Sequence, residues 1–196
     1  MKILEAKFTA AAPTAQALPP GTLPEVAFVG RSNVGKSSLI ATLVERKKLV
    51  RISQRPGCTQ SINFFEIRTE AGPLMLVDLP GYGYAAAPVE EQRRWGPLVS
   101  AYLRDRPTLC LVVVLLDPRR PVREDDEMLF DMLADCRTPH VVVATKVDKI
   151  PKSQRKLSIT QMAQATDSKV LGTSAKDGAG AEQLWQLIGR ACGLRV

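Results

Sequence analysis

Histidine, paired cysteines and long apolar runs are what this chain lacks. Its 196 residues include one histidine, and His140 follows Pro139 at the mouth of an apolar run, where it reads as structural rather than catalytic. Four cysteines, Cys58, Cys110, Cys136 and Cys192, are scattered without a Cys-x-x-Cys pair. Neither a zinc site nor a disulfide framework is indicated, and a reducing cytoplasm is the expected compartment. No apolar run approaches the ~20 residues of a membrane span. The first stretch, Met1 to Gly21, has no long apolar core behind Lys2 and reads as a short strand, Ile3 to Phe8, followed by a loop. Internal repeats and low-complexity tracts are also missing.

What is present is ordinary in bulk: 45% hydrophobic and 24% charged residues, which excludes disordered and fibrous classes. The length suits one domain with a real core and is too short for two comfortable ones. Strand-like apolar runs alternate with helical patterns, predicting an α/β domain around a mostly parallel sheet. The net charge of +7 biases the chain towards polyanions without naming one. Basic residues cluster at Arg46, Lys47, Lys48, Arg51 and Arg55, at Arg119, Arg120 and Arg123, and at Lys152, Arg155 and Lys156. Each cluster alone is an ordinary solvated face; together they make RNA a plausible surface partner.

The chain is organised around Glu25 to Leu39, EVAFVGRSNVGKSSL, in which Gly30, Gly35, Lys36 and Ser37 fit Gly-x4-Gly-Lys-Ser. The context agrees, with Val26 to Val29 reading as a buried strand and Ser38 to Val44 as the start of a helix. Glycines let successive backbone N–H groups turn inward on phosphate oxygens, and the helix N-terminus adds its positive end. Lys36 is then a point charge for the terminal phosphates, and the Ser37 hydroxyl a ligand for a bridging magnesium ion. A plain glycine turn, or a small-molecule kinase, is still open at this point.

Beyond that helix, Glu45 to Gln60 is basic, contains Pro56-Gly57 and reads as a mobile loop. Ser61 to Thr69 and Pro73 to Val77 read as a hairpin, the one antiparallel part of the sheet. Asp78 follows directly, a carboxylate at a strand end, where ligands of open α/β sheets bind. Val89 to Leu103 reads as a helix that Gly96-Pro97 should bend or interrupt. Leu109 to Leu116 is a central strand ending at Asp117. Glu124 to Cys136 reads as a helix whose Met128, Leu129, Met132 and Leu133 form its core-facing stripe. Val141 to Ala144 is a buried strand running into Thr145-Lys146-Val147-Asp148. A helix from Pro151 to Ala165, a short strand from Lys169 to Leu171, the loop Thr173-Ser174-Ala175-Lys176 and an amphipathic helix from Ala181 to Cys192 complete the chain.

The glycine loop, Thr59, Asp78 and the pair Thr-Lys-x-Asp with Ser-Ala-Lys, in that order, resemble a Ras-like GTPase over nearly the whole chain. The spellings GRSNVGKSS at Gly30 to Ser38, PGCTQSINFF at Pro56 to Phe65, DLPGYGYA at Asp78 to Ala85 and TKVDK at Thr145 to Lys149 are similar to the EngB (YihA or YsxC) family of bacterial GTPases. LPEVAFVG at Leu23 to Gly30 extends the likeness. The resemblance implies a Ras-like P-loop fold with about six strands, one antiparallel edge and helices on both faces. It places an N-terminal strand and loop extension at 1–22 and a single GTP-binding domain at 23–196. It also implies a monomeric cytoplasmic GTP hydrolase, acting with the large ribosomal subunit or its precursor in assembly and required for normal cell division and septation.

Site roles follow from the same resemblance. Nucleotide contacts fall to Gly30, Arg31, Ser32, Asn33, Val34, Gly35, Lys36, Ser37 and Ser38, then to Gly57, Cys58, Thr59 and Gln60, and to Asp78, Leu79, Pro80 and Gly81. At the base they fall to Thr145, Lys146, Val147, Asp148, Thr173, Ser174, Ala175 and Lys176. Magnesium falls to Ser37, to Thr59 in the GTP state, and to Asp78 through a water. Asn33, Lys36, Thr59 and Gly81 take the catalytic and switch roles. Guanine is favoured over adenine because an acceptor-only carboxylate at Asp148 takes two hydrogen bonds from guanine N1–H and its exocyclic amine. The chain departs from the pattern with Thr145 where the wider class has Asn, with Cys58 where the family more often has a basic residue, and with Tyr82 where Ras-type enzymes hold a water-orienting Gln. Tyr82 predicts slow hydrolysis, helped by a potassium ion at Asn33. A GTP-dependent binding module with negligible hydrolysis is the competing expectation.

Overall fold

The structure is a computed structural model and describes residues 1–45, 61–83 and 89–194; of residues 89–94 only the backbone is described. Its strands are β1 (Ile3–Ala12), β2 (Glu25–Gly30), β3 (Ile62–Thr69), β4 (Gly72–Asp78), β5 (Leu109–Leu116), β6 (His140–Ala144) and β7 (Val170–Gly172). They form one sheet in the order β1-β3-β4-β2-β5-β6-β7. Helices α1 (Lys36–Leu43), α2 (Val89–Arg104), α3 (Glu124–Asp135), α4 (Lys152–Thr166) and α5 (Ala181–Ala191) join or follow these strands.

Strands β4, β2, β5, β6 and β7 run parallel, with Val26 beside Leu76 and Val29 beside Val114. All six residues of β2 are buried, because helices cover both faces and the strand has no solvent side to signal by alternation. Odd and even positions part accordingly. Val26, Phe28, Leu111, Val113 and Leu115 pack with Leu39, Ile40, Leu184, Trp185 and Ile188 of α1 and α5. Ala27, Val29, Val112 and Val114 pack with Leu98, Val99, Tyr102, Leu129, Leu133 and Met162 of α2, α3 and α4.

Three features differ from the sequence expectation. The sheet has seven strands rather than about six, since β1 extends to Ala12 and pairs antiparallel with β3. The antiparallel part therefore holds three strands, and among the described strands β3 alone runs against the others. Next, α2 continues through Gly96-Pro97. The ~3 kcal/mol cost of an internal proline is outweighed by burial of Leu98, Val99, Tyr102 and Leu103 just beyond it, each contributing roughly 1.5–3 kcal/mol. Finally, Met128 is 61% exposed. The buried face of α3 runs through Asp126, Leu129 and Leu133, so the helix is rotated to bring a carboxylate inward and Met128 turns out to solvent.

Candidate functional site

The loops that leave β2, β4, β5, β6 and β7 emerge at the carboxyl end of the parallel strands, the edge where open α/β sheets bind ligands. The first is the glycine loop. A Cβ on Gly30 would stand 2.6 Å from the Leu115 carbonyl, so only glycine lets the loop turn off β2 this close to β5. Gly35 opens α1 at φ 113°, a left-handed conformation that glycine adopts at little cost. Asn33, also left-handed at φ 63°, is exposed at the crest, and Val34 is buried beneath it. Ser38 is exposed on the first turn of α1, where its carbonyl accepts the Thr42 hydroxyl.

At the phosphate end of the loop three polar groups converge. The Lys36 ammonium pairs with Asp78 Oδ1, and Ser37 Oγ lies 3.5 Å from Asp78 Oδ2. Asp78 is 5% exposed. A cation, a hydroxyl and a carboxylate held this closely suit a phosphate chain and a hard divalent ion, for which one or two protein oxygens suffice. Leu79 is buried and donates its N–H to Phe28 O, continuing the β2 to β4 pairing into the site. The Pro80 carbonyl accepts Trp95 Nε1–H at 2.7 Å, and Ser32 N–H donates to Tyr82 O at 2.8 Å. The segment through Gly81 thereby lies against the glycine loop.

At the other end, Thr145 is 3% exposed, with its hydroxyl 2.8 Å from Val34 O and 3.2 Å from Leu116 O. One side chain thus ties the glycine loop to the ends of β5 and β6. Lys146, left-handed at φ 56°, donates from Nζ to Asn33 O at 2.7 Å. The buried Val147 donates its N–H to Thr173 O. Asp148 Oδ1 accepts the Ser174 hydroxyl at 3.0 Å, and Ser174 Oγ in turn accepts the N–H groups of Lys176 and Asp177. The Ala175 carbonyl accepts Thr42 Oγ1–H at 3.3 Å. Gly57, Cys58, Thr59 and Gln60 lie outside the described residues, as do Arg46, Lys47, Lys48, Arg51 and Arg55.

Sequence reasoning missed two sets of contacts. Tyr82 is 6% exposed, and its hydroxyl donates to Asp126 Oδ1 at 2.7 Å. Its ring packs edge-on against Trp95, and Arg31 reaches Asp125 at 3.1 Å. Burial first, then the Asp126 charge, pushes the Tyr82 hydroxyl far above its ordinary pKa, so it stays a proton donor. The second set is at Asp117, which accepts Arg119 Nε and Nη2 at 2.9 and 2.6 Å and lies 3.5 Å from Lys146 Nζ. Arg119 is therefore engaged in an ion pair although, like its neighbour Arg120, it is exposed. Asp117 had a legible signal, a carboxylate ending a central strand as Asp78 does. The Tyr82 to Asp126 contact spans 44 positions and has no local signature.

Fold and site together define a P-loop GTPase: a family described as 50S ribosome-binding GTPase matches residues 25–146. A "Probable GTP-binding protein EngB" from Syntrophus aciditrophicus is 46% identical over 195 residues, 98% of each chain. One of the same description from Geobacter sulfurreducens is 50% identical over 155 residues, 79% of this chain and 74% of the relative. A crystal structure of a probable GTP-binding protein engB superposes with a TM-score of 0.70 at 27% identity, covering 86% of this chain and 98% of that one. The chain belongs to the EngB family of GTP-binding proteins.

Proposed function

We propose that this chain binds GTP and GDP with magnesium, hydrolyses GTP slowly, and uses the nucleotide state to control docking on the large ribosomal subunit or its precursor during assembly. The observation that carries the reading is the pairing of two ends of one site. Lys36, Ser37 and Asp78 meet where phosphates belong, Asp148 is braced by Ser174 where a base belongs, and Thr145 joins the halves. A small-molecule kinase would leave the braced carboxylate without a purpose. The family description, 50S ribosome-binding GTPase, supports the partner, and a division or septation defect would follow from ribosome supply.

Each residue has a task in this reading. Asp148 accepts guanine N1–H and the exocyclic amine, with the Ala175 N–H towards the guanine oxygen and the Lys146 stem along the base. Lys36 exchanges its Asp78 partner for the terminal phosphates. Ser37, Asp78 through a water, and Thr59 in the GTP state would hold magnesium, which when bound would neutralise charge on the phosphate oxygens. Thr59 and the Gly81 N–H sense the γ-phosphate. The Tyr82 hydroxyl is engaged with Asp126 and is not available to orient the attacking water, so hydrolysis is slow and draws on a potassium ion at Asn33. The same engagement favours a second reading, a binding module with negligible hydrolysis.

The protein is read as a monomer of the cytoplasm; among the described residues no helix is long and apolar enough to cross a membrane. Co-sedimentation with large subunits and their precursors under GDP, GTP and a non-hydrolysable analogue tests the function. Stronger association with the analogue than with GDP is expected, and equal association in all three states would refute the switch. Single-turnover hydrolysis on the same particles separates the readings: acceleration supports the enzyme, and none under any partner or cation supports the binding module.

A further inference from the structure

Asp117 is 9% exposed, and the phosphate and base contacts described above do not use it. Burial pushes its carboxyl up. The hydrogen bonds from the Arg119 side chain and backbone, with the charges of Arg119 and Lys146, outweigh this and lower its pKa to about 2, so it is a permanent anion. Two arms of Arg119 grip it in a fork, the geometry that fixes a carboxylate in direction as well as place. The Arg119 N–H adds a third bond at 3.1 Å. Lys146 Nζ lies 3.5 Å from Oδ2, the oxygen that Arg119 Nη2 also grips, and the same ammonium donates to Asn33 O. Arg119, Asp117, Lys146 and the Asn33 carbonyl thus form one chain of contacts from the end of β5 to the crest of the glycine loop.

We propose that Asp117, oriented by Arg119, is a positioning residue for guanine-nucleotide binding, holding the Lys146 ammonium in place so that its stem forms one wall of the base site. The proposal rests on the guanine-nucleotide reading above. Lysine has the most rotamer freedom to lose, and a side chain already pinned at its tip pays that entropy before the base arrives. With the Asp117 charge gone only the Asn33 carbonyl still holds the tip, and part of the cost moves into the binding step, worth about three- to tenfold in affinity for one long side chain. The effect acts at the base end, so GDP and GTP lose equally, and it acts through Lys146 alone.

Dissociation of N-methylanthraniloyl GDP and of its non-hydrolysable GTP counterpart, followed by fluorescence after mixing with excess GDP, tests this in the full chain. Asp117→Asn keeps the side-chain shape and an acceptor for the Arg119 N–H; Asp117→Ser is a second variant should the first fold poorly. Either variant should release both nucleotides about three- to tenfold faster. In a Lys146→Ala background the same substitution should change nothing further, which a general structural defect at Asp117 would not produce. Wild-type binding with unchanged release in Asp117→Asn, or effects that multiply in the double variant, overturns the positioning role and leaves the site reading intact. Failure of the wild-type chain to bind either guanine nucleotide overturns the site reading, and the proposal with it.

Discussion

Thr145 occupies a position where an amide side chain is usual in the wider class, and its short hydroxyl nevertheless lies between Val34 O and Leu116 O. Both residues are buried, and while Leu116 O keeps the Thr145 N–H, Val34 O loses the hydroxyl donor. Thr145→Ala should destabilise the chain by about 1–3 kcal/mol and weaken GDP binding, while Thr145→Ser restores most of both. Denaturant unfolding with a nucleotide titration checks the pair, and an unchanged midpoint in Thr145→Ala would show the hydroxyl to be dispensable. Asn33 is the other residue whose meaning depends on its surroundings. Its left-handed backbone and exposed side chain leave the amide at the crest of the loop, where asparagine is tolerated. GTP hydrolysis should be faster in potassium than in sodium at equal ionic strength, and Asn33→Ala should abolish the difference; equal wild-type rates would remove the cation from the account. The glycine loop, Asp78 and Asp148 were legible because each combines a fixed spacing with a strand end. Asp117 shared that strand-end signal, but its partners did not show: the contacts of Asp117 with Lys146 and of Asp126 with Tyr82 span 29 and 44 positions, and Arg119 acts through a local ion pair.

At the scale of elements, strands buried on both faces were readable as uninterrupted apolar runs, whereas the edge strand β1 was readable only over Ile3 to Phe8 and not in its full length or its pairing with β3. The first strand carries Glu5, Lys7 and Thr9 among its apolar residues, the half-solvated pattern expected of an edge that must not invite another chain. It nonetheless covers β3, with Phe8 edge-on to Phe65 and with Ala6 and Ala12 buried. Deleting residues 1–12 should cost at least about 3 kcal/mol and promote association through the bared β3 edge; a thermal melt and light scattering would show it, and an unchanged melting temperature would deny β1 a part in the core. Tyr82→Phe addresses the contact that turned α3. Losing a hydrogen bond to a buried carboxylate should destabilise the chain by about 1.5–3 kcal/mol with little change in GDP affinity, since the hydroxyl is bound to α3 rather than to the glycine loop. A large loss of affinity with unchanged stability would assign Tyr82 to the nucleotide instead.

Across the whole molecule, one end of a single sheet gathers every described element of the site, and Thr145, Lys146 and the Ser32 to Tyr82 contact join them into a continuous surface. At the far end, Glu25 sits 2.6 Å from Arg106 and receives Tyr102 and Thr108, a buried polar cluster that fastens α2 to β2 away from the chemistry. Guanine recognition is the claim on which switch, hydrolysis and ribosome docking all depend. It rests on Asp148, whose carboxylate would accept two donors that guanine has and adenine lacks. Competition of GTP, GDP and ATP for the labelled guanine nucleotide, in magnesium buffer, measures that directly. A site built on such hydrogen bonds should reject the wrong base on the order of ten-thousandfold, so ATP should fail to displace the label at concentrations where GTP and GDP do so fully. Displacement by ATP at concentrations comparable to GTP would contradict the account.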